Sequence, residues 1–351
     1  MYLMAGLFES HDRTKFEITA FSFGPNPADE MRKRLEAACE VIDVHDKSDR
    51  EVAIVARDLQ IDIAVDLKGL TQDSRPGIFA LRAAPLQVSY LGYPGTTGAE
   101  YIDYLIADRT LIPTESMRYY REKIIFLPDS YQVNDTRRAI SARTFTREEL
   151  GLPPAAFVYC CFNSPYKITP ATFASWMWIL SRIEGSVLWL IEDNSIAVKN
   201  LRRQAEARGV DPERLIFAAR TPLPEHLSRH CAADLFLDTL PCNAHTTASD
   251  ALWAGLPVLT LAGESFASRV SASLLRSLGL AELVANSQQQ YEELAVLLAT
   301  DAKRLADVKE KLADHRLAAP LFDTQLFTKR LEDAYSTIFA RHEAGLPPEH
   351  I

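Results

Sequence analysis

Residues 242–250, Cys-Asn-Ala-His-Thr-Thr-Ala-Ser-Asp, place an imidazole, two threonine hydroxyls and a carboxylate in one short connection between apolar runs. A strand ending near Asp238 and a helix starting near Thr246 would leave free backbone N–H groups at that turn. The positive end of the helix dipole would lie there too. Thr246 and Thr247 add hydroxyl donors and His245 adds a ring nitrogen, a set suited to a phosphate. Asp250, one turn further on, can accept two hydrogen bonds from a vicinal diol such as a ribose. A threonine N-cap followed by a solvated aspartate would use the same residue types, so it is the clustering that argues for a ligand.

Three other places carry polar groups at the ends of expected strands. In Phe-Asn-Ser-Pro-Tyr-Lys-Ile-Thr-Pro (162–170), Lys167 lies between a strand and a helix opened by Thr169 and Pro170. A lysine so placed can neutralise a phosphate leaving group, although a lone loop lysine is commonly just solvated. In 222–230, His226 and Arg229 are three residues apart and share one helix face; a surface charge beside a core-edge histidine would look the same. In the first half, Asp66, Lys68 and Thr71 emerge at a strand end. The Gly/Pro-rich 90–98 follows another strand and permits close backbone approach, although ordinary turn chemistry also explains such residues.

The elements that must position these groups follow from hydrophobic patterning. Strand-like runs at 16–23, 40–44, 62–67, 86–92, 104–108 and 123–127 alternate with helical patterns such as 28–39 and 49–59. A second series runs through 157–163, 187–193, 214–220, 234–238 and 257–263, with helices over 169–183 and 197–209. Strands alternating with crossover helices predict parallel sheets covered on both faces. The expected organisation is α/β: a first Rossmann-like lobe over 1–140, a linker over 141–156 and a second lobe over 157–321. An amphipathic C-terminal helix in 322–351 is expected to pack across the lobes. Such a pair places a ligand cleft between the lobes, at the carboxyl ends of the strands.

The chain has 351 residues, 47% hydrophobic and 24% charged, with a net charge of −9 and a pI near 5.5. That charge argues against nucleic acid as a partner. Five cysteines show no metal spacing, and two are adjacent, which fits a reducing compartment. No apolar run is long enough to span a bilayer and no signal peptide opens the chain. The expected setting is cytoplasmic, without membrane partners. Neither GxGxxG after a strand nor GxxxxGK[ST] occurs, which disfavours an NAD enzyme or a P-loop NTPase.

Taken together, LGYPGTTG, FN..YKI.P, SVLWL, CN.HTT..D.LWAG.PV.T and GE..ASRV.ASLL resemble the catalytic region of the protein O-GlcNAc transferases, the SPINDLY-type glycosyltransferases. The resemblance implies a GT-B fold and an inverting, metal-independent transfer of GlcNAc from UDP-GlcNAc to Ser or Thr of acceptor proteins, with no cofactor. The tetratricopeptide array usual in the family has no counterpart here. By resemblance, Lys167 contacts the UDP phosphates; His245, Thr246 and Thr247 hold the diphosphate; and Asp250 takes the ribose. His226 and Arg229 lie beside the nucleotide. Leu91, Gly92 and Pro94 form a sugar-facing loop, with Lys68 and Thr71 near the sugar or acceptor. Ser164 stands where some members carry a glutamine near the uracil, and Leu70 replaces a frequent tyrosine. Asp66 is the candidate general base. No metal ligands are expected.

The chain opens on a helical pattern where a Rossmann lobe normally opens on a strand, and the family's histidine-bearing front is missing. This predicts a defective sheet in the first lobe and weak or absent activity. Two alternatives accompany the main reading: a transferase for another nucleotide sugar, such as GDP-fucose, or another acceptor, and an inactive nucleotide-sugar-binding module.

Overall fold

The computed structural model describes residues 1–25 and 29–351. Contacts divide the chain into two units, Met1–Arg137 with Pro320–Ile351, and Arg138–Ala319. The segment expected as a linker, 141–156, groups with the second unit. There Arg147 donates to Asp234 at 2.8 Å and to Ala232 O at 3.1 Å. The C-terminal helix, Thr324–Glu343, groups with the first unit.

The first unit runs α1 (Ala5–Ser10), β1 (Thr19–Ser22), α2 (Glu30–Ala38), β2 (Glu40–Asp43), α3 (Asp49–Asp58), β3 (Ile63–Asp66), α4 (Pro76–Ala80), β4 (Leu86–Ser89), β5 (Tyr104–Ala107) and β6 (Lys123–Phe126). Of the helix expected over 28–39, Ala28 lies outside the described residues, and Asp29 caps α2 by accepting from Arg32 N. Ser48 and Glu51 form a reciprocal capping box at the start of α3, satisfying two N–H groups that the helix cannot pair internally. Val52, Ala53 and Ala56 then fall on one face and pack with Val44, Ile78 and Ala83. Every described strand pair in this unit is parallel. The sheet is in two pieces, β1-β2 and β3-β4-β5-β6, and no described strand joins β1 to β3.

The second unit runs β7 (Val158–Cys161), α5 (Pro170–Arg182), β8 (Val187–Ile191), α6 (Ser195–Glu206), β9 (Leu215–Ala218), α7 (Leu223–Arg229), β10 (Leu235–Leu237), α8 (Thr246–Trp253), β11 (Val258–Leu261), α9 (Val270–Ser277), β12 (Val284–Ala285), α10 (Gln288–Thr300) and α11 (Ala302–Arg316). Its strands form one parallel sheet in the order β12-β11-β10-β7-β8-β9. Counted within the unit this is the Rossmann order, with the chain reversing direction across the sheet between β7 and β10. β7 and β8 are buried along their whole length, as expected where helices cover both faces. β12 has only two residues, too few to show in a hydrophobic pattern. Two Rossmann-like α/β units in one chain make this a GT-B-class fold.

Candidate functional site

In open α/β sheets, ligands bind outside the carboxyl ends of the strands, where the strand order reverses. In the second unit that place is formed by two connections, 162–169 after β7 and 238–245 after β10. These are the two stretches whose chemistry stood out in the sequence.

Asn163 ties them together. Its Nδ2 donates to Thr239 Oγ1 at 2.8 Å, and its Oδ1 accepts from the Thr247 hydroxyl. Lys167 Nζ donates to Asn243 O at 2.7 Å. Among the described residues no carboxylate pairs with Lys167 to neutralise its charge. Thr169 and Thr172 donate to Leu240 O at 3.2 and 2.9 Å. The second connection is wound around Asp238, whose carboxylate accepts from Thr239 N at 2.7 Å, Ala244 N at 2.6 Å and Thr260 Oγ1 at 2.7 Å. Burial, only partly offset by these donors, raises the Asp238 pKa.

This scaffold aims the start of α8. His245 occupies its N-cap position, and no side chain caps the helix, whereas Thr169 caps α5. The N–H groups of the first turn therefore keep their donors. Thr246 is exposed and Thr247 half-buried. The His245 ring meets Ala267 O at 3.2 Å through Nε2. Burial and the nearby Lys167 charge lower its pKa to about 4, so it is neutral near pH 7. Asp250 is buried and paired with Arg138; burial raises its pKa against the pull of that arginine. Arg138 also reaches Ser249.

His226 and Arg229 join the same place through Phe162, the residue after β7. The His226 ring lies 5.3 Å from the Phe162 ring, and the Arg229 guanidinium lies 4.6 Å above it. His226 Nδ1 and Arg229 Nη2 are 2.7 Å apart. Ser164, next in the connection, is half-buried, and no hydrogen bond joins its side chain to the described residues.

The first-unit candidates gather at the carboxyl ends of β3 and β4. Asp66 is buried, and its Oδ1 accepts from Lys68 N and Gly69 N, both at 2.9 Å. Thr71 Oγ1 donates to Lys68 O at 2.8 Å. A Cβ on Gly92 would come within 2.0 Å of Leu67 O, so this glycine lets the two connections touch. Leu91 is held at φ +63°, an uncommon region for a branched residue. Pro94 is half-buried in the same loop.

Sequence reasoning did not single out Asn163, Phe162, Asp238 or Arg138. Asn163 and Phe162 were within reach, because they directly precede the loop that carries Lys167. The pairing of Arg138 with Asp250 spans 112 residues and leaves no local signal. Among the described residues, no group of three or more His, Cys, Asp or Glu could hold a metal ion. None of the described helices is long and apolar enough to cross a membrane.

A GT-B-class pair of units with a cation and a free helix start at the Rossmann switch point defines a glycosyltransferase-like α/β protein. The sequence model of glycosyl transferase family 41 matches residues 1–145 and 139–331, and the chain belongs to that family. A probable UDP-N-acetylglucosamine–peptide N-acetylglucosaminyltransferase SEC from Arabidopsis thaliana is 38% identical over 356 residues, covering 99% of this chain and 36% of that protein. The UDP-N-acetylglucosamine–peptide N-acetylglucosaminyltransferase of Caenorhabditis elegans is 27% identical over 464 residues, covering 100% of this chain and 40% of that protein. The chain thus spans little more than a third of these relatives. A solved mutant of the Thermobaculum terrenum O-GlcNAc transferase superposes with a TM-score of 0.87 at 34% identity, over 96% of this chain and 64% of that one.

Proposed function

We propose that the chain carries the donor-binding and transfer groups of an inverting, metal-independent glycosyltransferase that moves GlcNAc from UDP-GlcNAc to Ser or Thr hydroxyls of proteins. The observation that carries this reading is the convergence of Lys167 and the uncapped start of α8 on the switch point of the second unit. Membership of family 41 supports the same chemistry.

In this mechanism an acceptor hydroxyl attacks the anomeric carbon, and UDP departs from the opposite face. Negative charge grows on the β-phosphate as the glycosidic bond breaks. Lys167 and the first-turn N–H groups at Thr246 and Thr247 stabilise that charge more in the transition state than in the ground state. Thr247 is oriented by Asn163, and His245 stays neutral, so it offers hydrogen bonding rather than charge. The Asp250 carboxylate, neutralised on one side by Arg138, takes the ribose with its remaining acceptor capacity. His226 lies beside the base. In the first unit, Leu91, Gly92 and Pro94 face the sugar, with Lys68 and Thr71 near the sugar or acceptor. Asp66 remains the candidate base, with one carboxylate oxygen already holding two backbone N–H groups.

Lys167→Ala should lower kcat by about 10²–10³-fold, the usual cost of deleting one preorganised donor to a developing oxyanion. Near-parental turnover by that variant would sink the assignment. UDP should displace the bound donor whereas GDP should not, and activity should survive EDTA. The interrupted sheet of the first unit favours a second reading, a nucleotide-sugar-binding module. Tight UDP binding without any UDP-GlcNAc turnover would select it.

A further inference from the structure

Arg229 is 3% exposed, and among the described residues it pairs with no carboxylate. Burying a cation unpaired is costly, and here the cost shows as a pKa lowered to about 10 by desolvation. The guanidinium is nonetheless tightly placed. Nη1 donates to Ala219 O at 2.6 Å, and the plane lies over Phe162 and, at 5.8 Å, over Trp189. Its remaining contact is Nη2 to His226 Nδ1 at 2.7 Å.

A guanidinium can only donate. His226 Nδ1 must therefore accept, and the single proton of the neutral ring must sit on Nε2. No described group satisfies Nε2, and it is not among the buried unpartnered atoms; it is the open edge of the ring.

We propose that Arg229 is a positioning residue: anchored on Ala219 O and stacked on Phe162, it holds His226 as the neutral Nε2–H tautomer, so that this edge donates to the bound nucleotide. The last clause rests on the nucleotide-sugar reading above; the tautomer does not. The charged and titratable groups facing His226 are His230 and Arg229 along its own stretch and Arg220 beyond β9, with Arg220 itself paired to Asp193. No carboxylate is among those facing groups, so nothing favours the imidazolium. Burial first, then these neighbours, lower the His226 pKa to about 2.

The test is the ¹⁵N histidine spectrum of the full chain without ligand, joined to UDP affinity from about pH 5 to about pH 8, the range in which an ordinary histidine titrates. The parent should show His226 protonated on Nε2, bare on Nδ1 and neutral throughout, with a UDP profile that follows only the second ionisation of the UDP terminal phosphate, at about pH 6. Arg229→Met should free Nδ1, let both neutral tautomers populate and weaken UDP binding about three- to tenfold, as for one lost hydrogen bond, while burial still keeps the ring uncharged. Arg229→Lys, which keeps a charged donor, should recover the parent behaviour. A parent proton on Nδ1 would overturn the proposal without recourse to any variant. Equal losses in the Lys and Met variants would overturn it too, since they would mark packing rather than the donor. Failure of every form to bind UDP would instead count against the nucleotide reading, with the tautomer still decided by the spectrum.

Discussion

The two units use the same alternation of strand and helix, yet one holds an unbroken six-stranded sheet and the other a sheet in two pieces. Aligning the strand orders pairs β1 with β8, β2 with β9 and β3 with β10, leaving no described strand of the first unit to match β7. The consequence is visible in burial. β8 is buried at every residue, while β1 is half-buried throughout and β3 is buried only at Asp66. An apolar strand needs a hydrogen-bonded neighbour on each side and a helix on each face before its side chains leave water. β7 supplies that to β8 and β10. It also carries at its end Phe162, Asn163 and Lys167, which organise the candidate site.

The sites differ in the same way. In the second unit, side chains far apart in sequence hold the loops, through Asn163–Thr239, Lys167–Asn243 and Arg138–Asp250. In the first, the connections after β3 and β4 are held across shorter separations, by the Asp66 turn, the close approach of Gly92 to Leu67, and the buried Glu122 carboxylate, which accepts from Thr96 and Thr97.

The sharpest way to break this comparison is to truncate matched positions. Trp189→Ala in β8, where the indole is fully buried, should cost about 3–5 kcal/mol in urea unfolding, because a large cavity is left. Phe21→Ala in β1 should cost only about 1–2 kcal/mol, since part of the ring already meets water. Equal losses would mean that the first unit is as well packed as the second. Gly92→Ala should cost about 2–4 kcal/mol, the scale of strong backbone conflict. Hydrogen exchange should place that loss at the connections after β3 and β4, with the second unit's sheet unchanged.

A separate effect is pH dependence. His226, His230 and His245, all in the second unit, have pKa values lowered chiefly by burial, to about 2, about 4 and about 4. The unfolded chain binds their protons more readily. Their contribution is therefore fully present above about pH 6.5 and is lost as pH falls towards their folded values, by up to about 1.4 kcal/mol per pH unit for each histidine. Asp238 and Asp250, raised by burial, take up protons in the folded state and oppose this. Melting followed from about pH 7 to about pH 4.5 should show net destabilisation of the second unit. A flat curve would show that the aspartates cancel the histidines.

The sequence by itself determined the alternation of strands and helices, because a period of two or 3.6 is written in consecutive residues. It also determined where the ligand-capable loops fall, since Lys167 and 242–250 each follow an apolar strand. Strand order was decided only by tertiary structure, and with it the fact that the two loops are neighbours: 76 residues separate Lys167 from Asn243, and no local pattern encodes that distance. The same holds for the pairing of Arg138 with Asp250, 112 residues apart. Burial and hydrogen bonding fix which atom of a side chain is free to act, and both arise only when distant segments pack.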